Sequence, residues 1–156
     1  MTEAFHDIEW LARTRQRGDV SAWLARIPYA RRIGVSVETA PDGDGLLFRL
    51  APREDNIGNV LLPALHGGVV AAFMETAATL DLMLAAREPR LPRVVDVSID
   101  YLRTVRVMPT LARCELLREG RRMANVRVRA WQDDEGAPVA TARLHFALGG
   151  VTTQDA

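Results

Sequence analysis

The stretch HGGVVAAFMETAATLDLMLAAREP, residues 66–89, includes most of the longest weakly charged segment of this 156-residue chain, which extends over residues 61–86. Between residues 69 and 86 the only charges are Glu75 and Asp81, so a helix formed here is apolar on nearly every side. A membrane span needs about 20 residues with few or no charges, and these two acids interrupt the run. The segment therefore predicts a buried helix at the centre of a soluble domain, with no membrane partner.

Segments of alternating polarity lie on both sides of this helix. Before it, residues 35–38 and 46–50 alternate around the turn PDGDG, which predicts a hairpin. After Pro92, four alternating segments follow, separated by the turn sequences REGRR and DDEGAP. Their apolar faces are predicted to contain Val95, Val97, Ile99 and Tyr101; Ala112, Cys114 and Leu116; Ala124, Val126, Val128 and Ala130; and Ala140, Ala142, Leu144, Phe146 and Leu148. This order predicts an α+β fold in which a curved antiparallel sheet wraps around the central helix.

The N-terminal third is predicted to be helical. The first helical pattern breaks near Gly18, and Asp19 is a suitable cap for a second helix that ends at Pro28. We therefore expect two short helices in an N-terminal extension, residues 1–30, followed by a main domain over residues 31–150.

Composition excludes several classes of function. Twenty arginines and twenty acids cancel, which argues against a nucleic-acid partner. The single cysteine, Cys114, cannot form an intramolecular disulfide, and three scattered histidines lack zinc-site spacing, so we expect neither a metal nor a cofactor. The N-terminus has acids where a signal peptide needs basic residues, so we expect a cytoplasmic protein.

The HGG sequence at the start of the apolar helix is the first candidate site. Gly67 and Gly68 place backbone N–H groups without intrahelical partners at the helix N-terminus, where a substrate oxygen can approach closely. This is the outline of an oxyanion hole. Alternatively, the two glycines only permit a tight turn and close packing.

Glu75 is the second candidate, because a carboxylate within AAFMETAA should be buried, and burial is costly unless the group is paired or takes part in chemistry. The structural alternative is a hydrogen bond to a backbone group or to Thr79. Asp81, nearer the helix end, is expected to reach solvent or an arginine.

The spacing of these candidates has a geometric consequence. Gly67 and Glu75 are eight residues apart, about 12 Å along a helix, which is too far for both to act on one carbonyl and its attacking water. If both are catalytic, two chains must contribute. Antiparallel packing of this helix in a two-fold dimer would form two equivalent sites at the interface.

Several motifs together resemble a known family. These are LPALHGG, the acid nine residues after the His, and the later VDVSIDYLR, GRRMANVRVRA and GAPVATARLHFAL. They resemble hotdog-fold acyl-CoA thioesterases of the phenylacetate-pathway and 4-hydroxybenzoyl-CoA type, over residues 27–148. The resemblance implies that Glu75 is the general base or nucleophile and that the N–H of Gly67 binds the thioester oxygen. The neighbouring Gly68 is a candidate substrate-binding residue. It also implies that His66 organises the loop and assists at the thioester; the alternative is a His that only anchors the loop.

The sequence departs from the family pattern in two places. Many members have Asn or Gln six residues before the His, but here that position is Val60, and we take Asn59 as the candidate. Many also have Ser or Thr near the start of the next strand, where this chain has Arg93, Val94 and Val95. Guanidinium groups suit phosphate oxygens, so candidates for binding coenzyme A phosphates are Arg103, Arg121 and Arg122.

The resemblance implies hydrolysis of an acyl-CoA or aroyl-CoA thioester by a homo-oligomer, either a dimer or a dimer of dimers, with active sites at the dimer interface. Two other functions stay open at this point. The same fold supports acyl-thioester hydratases and dehydratases, and it also suits a non-catalytic acyl-CoA binding module.

Overall fold

A six-stranded antiparallel sheet wraps around one long helix. The structure, a computed structural model, describes residues 8–59 and 61–149. The strands are β1 (Val35–Thr39), β2 (Leu46–Leu50), β3 (Ile57–Asn59), β4 (Ala64–Leu65), β5 (Arg93–Tyr101), β6 (Thr110–Glu119), β7 (Met123–Trp131) and β8 (Ala140–Ala147). The large sheet has the order β1-β2-β6-β7-β8-β5, while β3 and β4 form a small ribbon. The predicted α+β hotdog arrangement, with its hairpin and four later strands, is confirmed.

The central helix, α4 (Gly67–Ala85), crosses the concave side of the sheet. It is long and apolar enough to cross a bilayer by length and composition. Its buried side chains, however, belong to the hydrophobic core that it shares with the sheet. These are Val70, Phe73, Met74, Ala77, Ala78, Leu80, Leu82 and Met83. The segment is therefore the core helix of the domain.

One face of α4 is not covered by the chain itself. Gly68 and Glu75 are exposed, and Ala72 and Thr79 on the same stripe are half-buried. The spacing of three and four residues places all four on one side of the helix. The expectation that protein surrounds this helix is therefore wrong for the single chain, because the sheet covers only the opposite face.

Strand β5 contains a bulge, so its side chains do not follow the predicted alternation at Val95. Val94 pairs with Phe146 and Asp96 pairs with His145, so Val95 is an extra residue and is exposed. Beyond the bulge, Val97, Ile99 and Tyr101 face α4 as predicted, because their cross-strand partners Leu144, Ala142 and Ala140 are core residues. The other three predicted apolar faces follow the predicted alternation.

The N-terminal region has three helices, α1 (Ile8–Gln16), α2 (Val20–Leu24) and α3 (Pro28–Ile33), rather than two. Asp19 caps α2 by accepting a hydrogen bond of 3.0 Å from the N–H of Ala22, as predicted. Pro28 does not end a helix but begins α3, since its fixed φ and missing N–H suit the first helical position. Gly34, with φ of 83°, ends it.

The three helices pack into the same hydrophobic core as the sheet. Leu11, Val20 and Trp23 are buried members of that core. The indole N–H of Trp23 donates to Thr14. The division at residue 30 stays a prediction, and residues 1–7 and 150 lie outside the described part of the chain.

Candidate active site

The turn before α4 is held by His66. Its main-chain N–H donates to the carbonyl of Asn56 at 2.8 Å, and its ring Nδ1 accepts from the N–H of Gly68 at 2.9 Å. His66 is therefore the N-cap of the helix. The main chain of β3 lies against it, because a Cβ on Gly58 would come within 2.6 Å of the His66 Cα. The loop-anchoring role considered for His66 is present in the structure.

The two glycines differ in what their N–H groups can do. The N–H of Gly68 is occupied by His66, whereas that of Gly67 has no acceptor within the described residues. Val69 and Val70 both donate to the carbonyl of His66, which fixes the first turn. The free donor at the positive end of the α4 dipole is therefore Gly67.

Hydrogen bonding also determines the tautomer of His66. Because Nδ1 accepts a backbone N–H, it carries no proton, and the neutral ring carries its proton on Nε2. The imidazole is exposed. His66 therefore has an N–H donor on the ring nitrogen that does not bind Gly68.

A residue that the sequence did not single out completes this turn. The hydroxyl of Tyr101, at the end of β5, donates to the carbonyl of Gly67 at 2.6 Å. A Cβ on Gly67 would lie 3.3 Å from that hydroxyl oxygen, so the ring packs directly on the glycine. The alternating pattern assigned Tyr101 to the helix-facing side of β5, but it carried no signal that the hydroxyl reaches the HGG turn.

Glu75 lies on the uncovered face of α4 and is exposed. The expectation of burial is wrong for the single chain, since apolar neighbours in sequence need not be neighbours across a helix. The Thr79 hydroxyl donates at 2.8 Å to the main-chain carbonyl of Glu75, not to its carboxylate. Within the described residues the carboxylate has no hydrogen-bond or ion-pair partner, so the structural alternative finds no support in the single chain.

Asn59 forms the turn that leads to the site. Its Oδ1 accepts from the N–H groups of Leu61 at 2.9 Å and Leu62 at 3.2 Å, which holds both leucine side chains in solvent. Val60 lies outside the described residues. Asn56, by contrast, is buried, and its side-chain amide donates to the carbonyl of Ile33 at 2.8 Å.

The structure separates the three arginines considered for coenzyme A. Arg103 follows Tyr101 closely and donates to the carbonyl of Pro138, at the Gly67 end of α4. Arg121 and Arg122 lie in the β6–β7 turn, near Arg90 and the C-terminal end of α4. The 19-residue helix between these ends is about 27 Å long. Only Arg103 is therefore close to the HGG turn of its own chain.

Asp81 lies far from this turn. It lines a cavity of about 420 Å³ between the C-terminal part of α4, the start of β2 and the middle of β6, together with Cys114 and Arg113. Burial raises the pKa of the Asp81 carboxyl to about 6 and that of the Cys114 thiol well above its usual value. Asp81 has neither a hydrogen bond nor an ion pair in the part of the chain that the structure describes, although arginines line the same cavity. The thiol of Cys114 is protonated at neutral pH and is a poor nucleophile.

Replacing Asp81 by Asn should stabilise the protein at neutral pH. The raised pKa means that the folded chain binds a proton more tightly than the unfolded chain, so the contribution of Asp81 is fully present below about pH 4 and is lost as the pH rises through 6. We expect Asp81→Asn to raise Tm by roughly 3–6 °C at pH 7.5, with the difference shrinking towards pH 4. The control is Asp44→Asn at the exposed mouth of the cavity. A Tm gain that does not depend on pH would contradict this explanation.

Comparison with known proteins identifies the family of this chain. The model of the thioesterase superfamily matches residues 62–139, which include the HGG turn, Glu75 and Tyr101. The chain belongs to the thioesterase superfamily. This thioesterase is 30% identical over 141 residues to the "Medium/long-chain acyl-CoA thioesterase YigI" of Escherichia coli K12, covering 81% of this chain and 89% of that protein.

Two solved structures extend the comparison. A crystal structure of a protein from Chromobacterium violaceum is 37% identical, with a TM-score of 0.71, and the match covers 92% of this thioesterase and 99% of that chain. A mutant of the phenylacetic acid degradation protein PaaI from Thermus thermophilus is 21% identical, with a TM-score of 0.64, covering 78% and 98% of the two chains. The second likeness concerns the fold alone.

Proposed function

We propose that this thioesterase hydrolyses acyl-CoA esters as a homodimer, with two active sites at the interface. The observation that carries the proposal is the free N–H of Gly67 at the start of α4, together with the exposed Glu75 on the uncovered face of the same helix. Eight residues, about 12 Å, separate the two groups along a continuous helix. One chain therefore holds two halves of a site that do not meet.

The uncovered face of α4 suits a second copy of the same helix. Its stripe of Gly68, Ala72, Glu75 and Thr79 has short side chains on both sides of the carboxylate. Antiparallel packing on a two-fold axis would bring Glu75 of the partner subunit to Gly67, and the reverse. The carboxylate, exposed in one chain, then becomes enclosed at the interface.

Strand β5 supports the same assembly. It is an edge strand nine residues long, and an edge of this length normally needs protection from other strands. On its helix-facing side Val97 is 37% exposed and Tyr101 is 50% exposed. Pairing of β5 with β5 of a second copy would cover this edge and place two α4 helices against each other.

Replacing Val97 by Arg should disrupt the dimer. An arginine can reach solvent from this position in a single chain, but it would introduce a charge without a partner into the proposed interface. We expect a shift from dimer to monomer in sedimentation equilibrium and a loss of thioester hydrolysis. The matched control is Leu117→Arg, which changes a similarly exposed apolar residue on the β6 bulge. A fully dimeric Val97→Arg protein would contradict this interface.

The reaction follows from the two half-sites. The N–H of Gly67 binds the thioester carbonyl oxygen, where the helix dipole stabilises the negative charge that develops. Glu75 of the partner subunit takes a proton from water, and the water oxygen attacks the carbonyl carbon. The tetrahedral intermediate collapses by breaking the carbon–sulfur bond, and the departing thiolate takes the proton back. The products are the free acid and coenzyme A.

The remaining predicted site residues take supporting roles in this proposal. The Nε2–H of His66 is proposed to donate to the bound thioester. Asn59 shapes the turn that carries Leu61 and Leu62, while its amide NH₂ has no acceptor among the described residues. Gly68 acts through its bond to His66. Arg103 is the proposed phosphate contact near its own HGG turn, and Arg121 and Arg122 are proposed to contact the distant end of coenzyme A.

The name of the Escherichia coli relative supports a proposal for the length of the acyl group. Because the Escherichia coli protein is called a medium/long-chain acyl-CoA thioesterase, aliphatic acyl-CoAs of that length are the proposed substrates in preference to aroyl-CoAs. The enzyme is proposed to act in the cytoplasm, where a free cysteine such as Cys114 stays reduced.

Thiol release from a panel of CoA esters tests the proposed activity. The panel contains short, medium and long aliphatic esters together with phenylacetyl-CoA and hydroxybenzoyl-CoA. We expect turnover with a maximum among medium or long aliphatic chains. If the folded protein releases no thiol from any ester, the proposed activity is wrong, and hydration of enoyl-CoA and binding without turnover become the next assays.

A further inference from the structure

The hydroxyl proton of Tyr101 is already used in a hydrogen bond. The hydroxyl donates to the carbonyl of Gly67 at 2.6 Å, and burial raises the pKa of the phenol above its usual value. A hydroxyl has one proton to donate and two lone pairs to accept with. With the proton engaged, the Tyr101 oxygen can only accept a further hydrogen bond.

This oxygen is close to the proposed carbonyl-binding donor. The carbonyl oxygen and the nitrogen of Gly67 are three bonds apart, so the Tyr101 oxygen lies no more than about 7 Å from that nitrogen. The ring is also in contact with Gly67, where a Cβ would lie 3.3 Å from the hydroxyl. A thioester whose oxygen binds to the N–H of Gly67 therefore binds at the residue on which the Tyr101 ring packs.

A second acceptor at this place would fix the orientation of the attacking water. The attacking water carries two hydrogens, and the proposed base, Glu75 of the partner subunit, accepts only one. The acceptors of the neighbouring polar side chains are already used, since Nδ1 of His66 binds the N–H of Gly68 and Oδ1 of Asn59 binds two backbone N–H groups. Among the described residues beside the HGG turn, Tyr101 has the side-chain oxygen that is left to accept.

We propose that Tyr101 is a catalytic residue that orients the attacking water, an inference that rests on the proposed hydrolysis. One water hydrogen passes to Glu75 of the partner subunit as the oxygen attacks the carbonyl carbon. The other stays on the attacking oxygen and is donated as a hydrogen bond to the Tyr101 oxygen. Tyr101 neither gains nor loses a proton, and it holds the carbonyl of Gly67 throughout.

The variant Tyr101→Phe tests this role, because it removes only the hydroxyl. The variant also loses the bond to the carbonyl of Gly67, but the N–H of Gly67 that binds the thioester oxygen is kept. We expect kcat for the best acyl-CoA to fall about 10–100-fold with KM within about twofold, because the attacking water loses its acceptor. The matched control is Tyr29→Phe, which removes the hydroxyl of the other tyrosine in the chain, an exposed residue of α3. The control should retain wild-type kcat and KM.

A second measurement separates chemistry from binding. An analogue with a methylene group between the sulfur and the carbonyl carbon resists hydrolysis, and its Kd should be equal for wild type and Tyr101→Phe. An unchanged kcat in Tyr101→Phe overturns the proposal, as does a weaker Kd that accounts for the whole loss of kcat/KM. If the wild-type enzyme itself releases no thiol, the proposed function fails, and that result is distinct from an active wild type with an equally active variant.

Discussion

Replacement of Glu75 by Gln should lower kcat about 10²–10⁴-fold, the usual contribution of a general base. The amide has nearly the same shape but cannot take the proton of the attacking water. Because Glu75 is exposed in the single chain and its carboxylate has no partner among the described residues, the fold should tolerate the change. The measurement is steady-state thiol release together with thermal unfolding.

A matched variant isolates the effect of Glu75. Glu38 is also an exposed glutamate, but it lies on β1, away from the HGG turn. Glu38→Gln should therefore retain wild-type kcat. Near-wild-type turnover by a folded Glu75→Gln protein would remove Glu75 from the mechanism.

The second large effect is expected at Gly67, where the substitution Gly67→Pro removes the proposed oxyanion donor and little else. Pro is favoured at the first position of a helix, and His66, with φ −64° and ψ 130°, already has the extended conformation that precedes a proline. Loss of one oxyanion donor typically lowers kcat about 10²–10³-fold. We expect a loss of this size in thiol-release assays with little change in Tm.

Gly67→Ala is the control for the side chain that proline adds. Alanine introduces the same Cβ, 3.3 Å from the Tyr101 hydroxyl, but it keeps the N–H. We therefore expect alanine to cost much less activity than proline. Equal losses in the two variants would assign the effect to crowding against Tyr101 and not to the missing donor.

The sequence was sufficient for most of the fold. Alternation along residues 110–116 and 123–148 depends on local polarity and on turn residues, and the structure follows it there. The bulge at Val95 was not predicted, because pairing with β8 decides which residue of β5 is the extra one. Helix α3 was not predicted, because Pro28 is compatible both with the end of one helix and with the start of the next.

The candidate site was predictable only in part. HGG and Glu75 stand out because glycines and an acid are unusual in an apolar helix. Contacts between distant segments leave no such local signal, and for this reason the bond from Tyr101 to Gly67, 34 residues away, was missed. Burial of Glu75 was expected from its sequence neighbours, but it depends on what covers the helix face, which a single chain does not provide.

The central claim is that each active site combines Gly67 of one chain with Glu75 of the other. Co-expression of Glu75→Gln and Gly67→Pro with two different affinity tags allows the mixed dimer to be purified. In that dimer one site carries both substitutions and the other carries neither, so we predict about half of the wild-type activity per dimer from two inactive parents. A mixed dimer as inactive as its parents would contradict the claim, because it would show that each site lies within one chain.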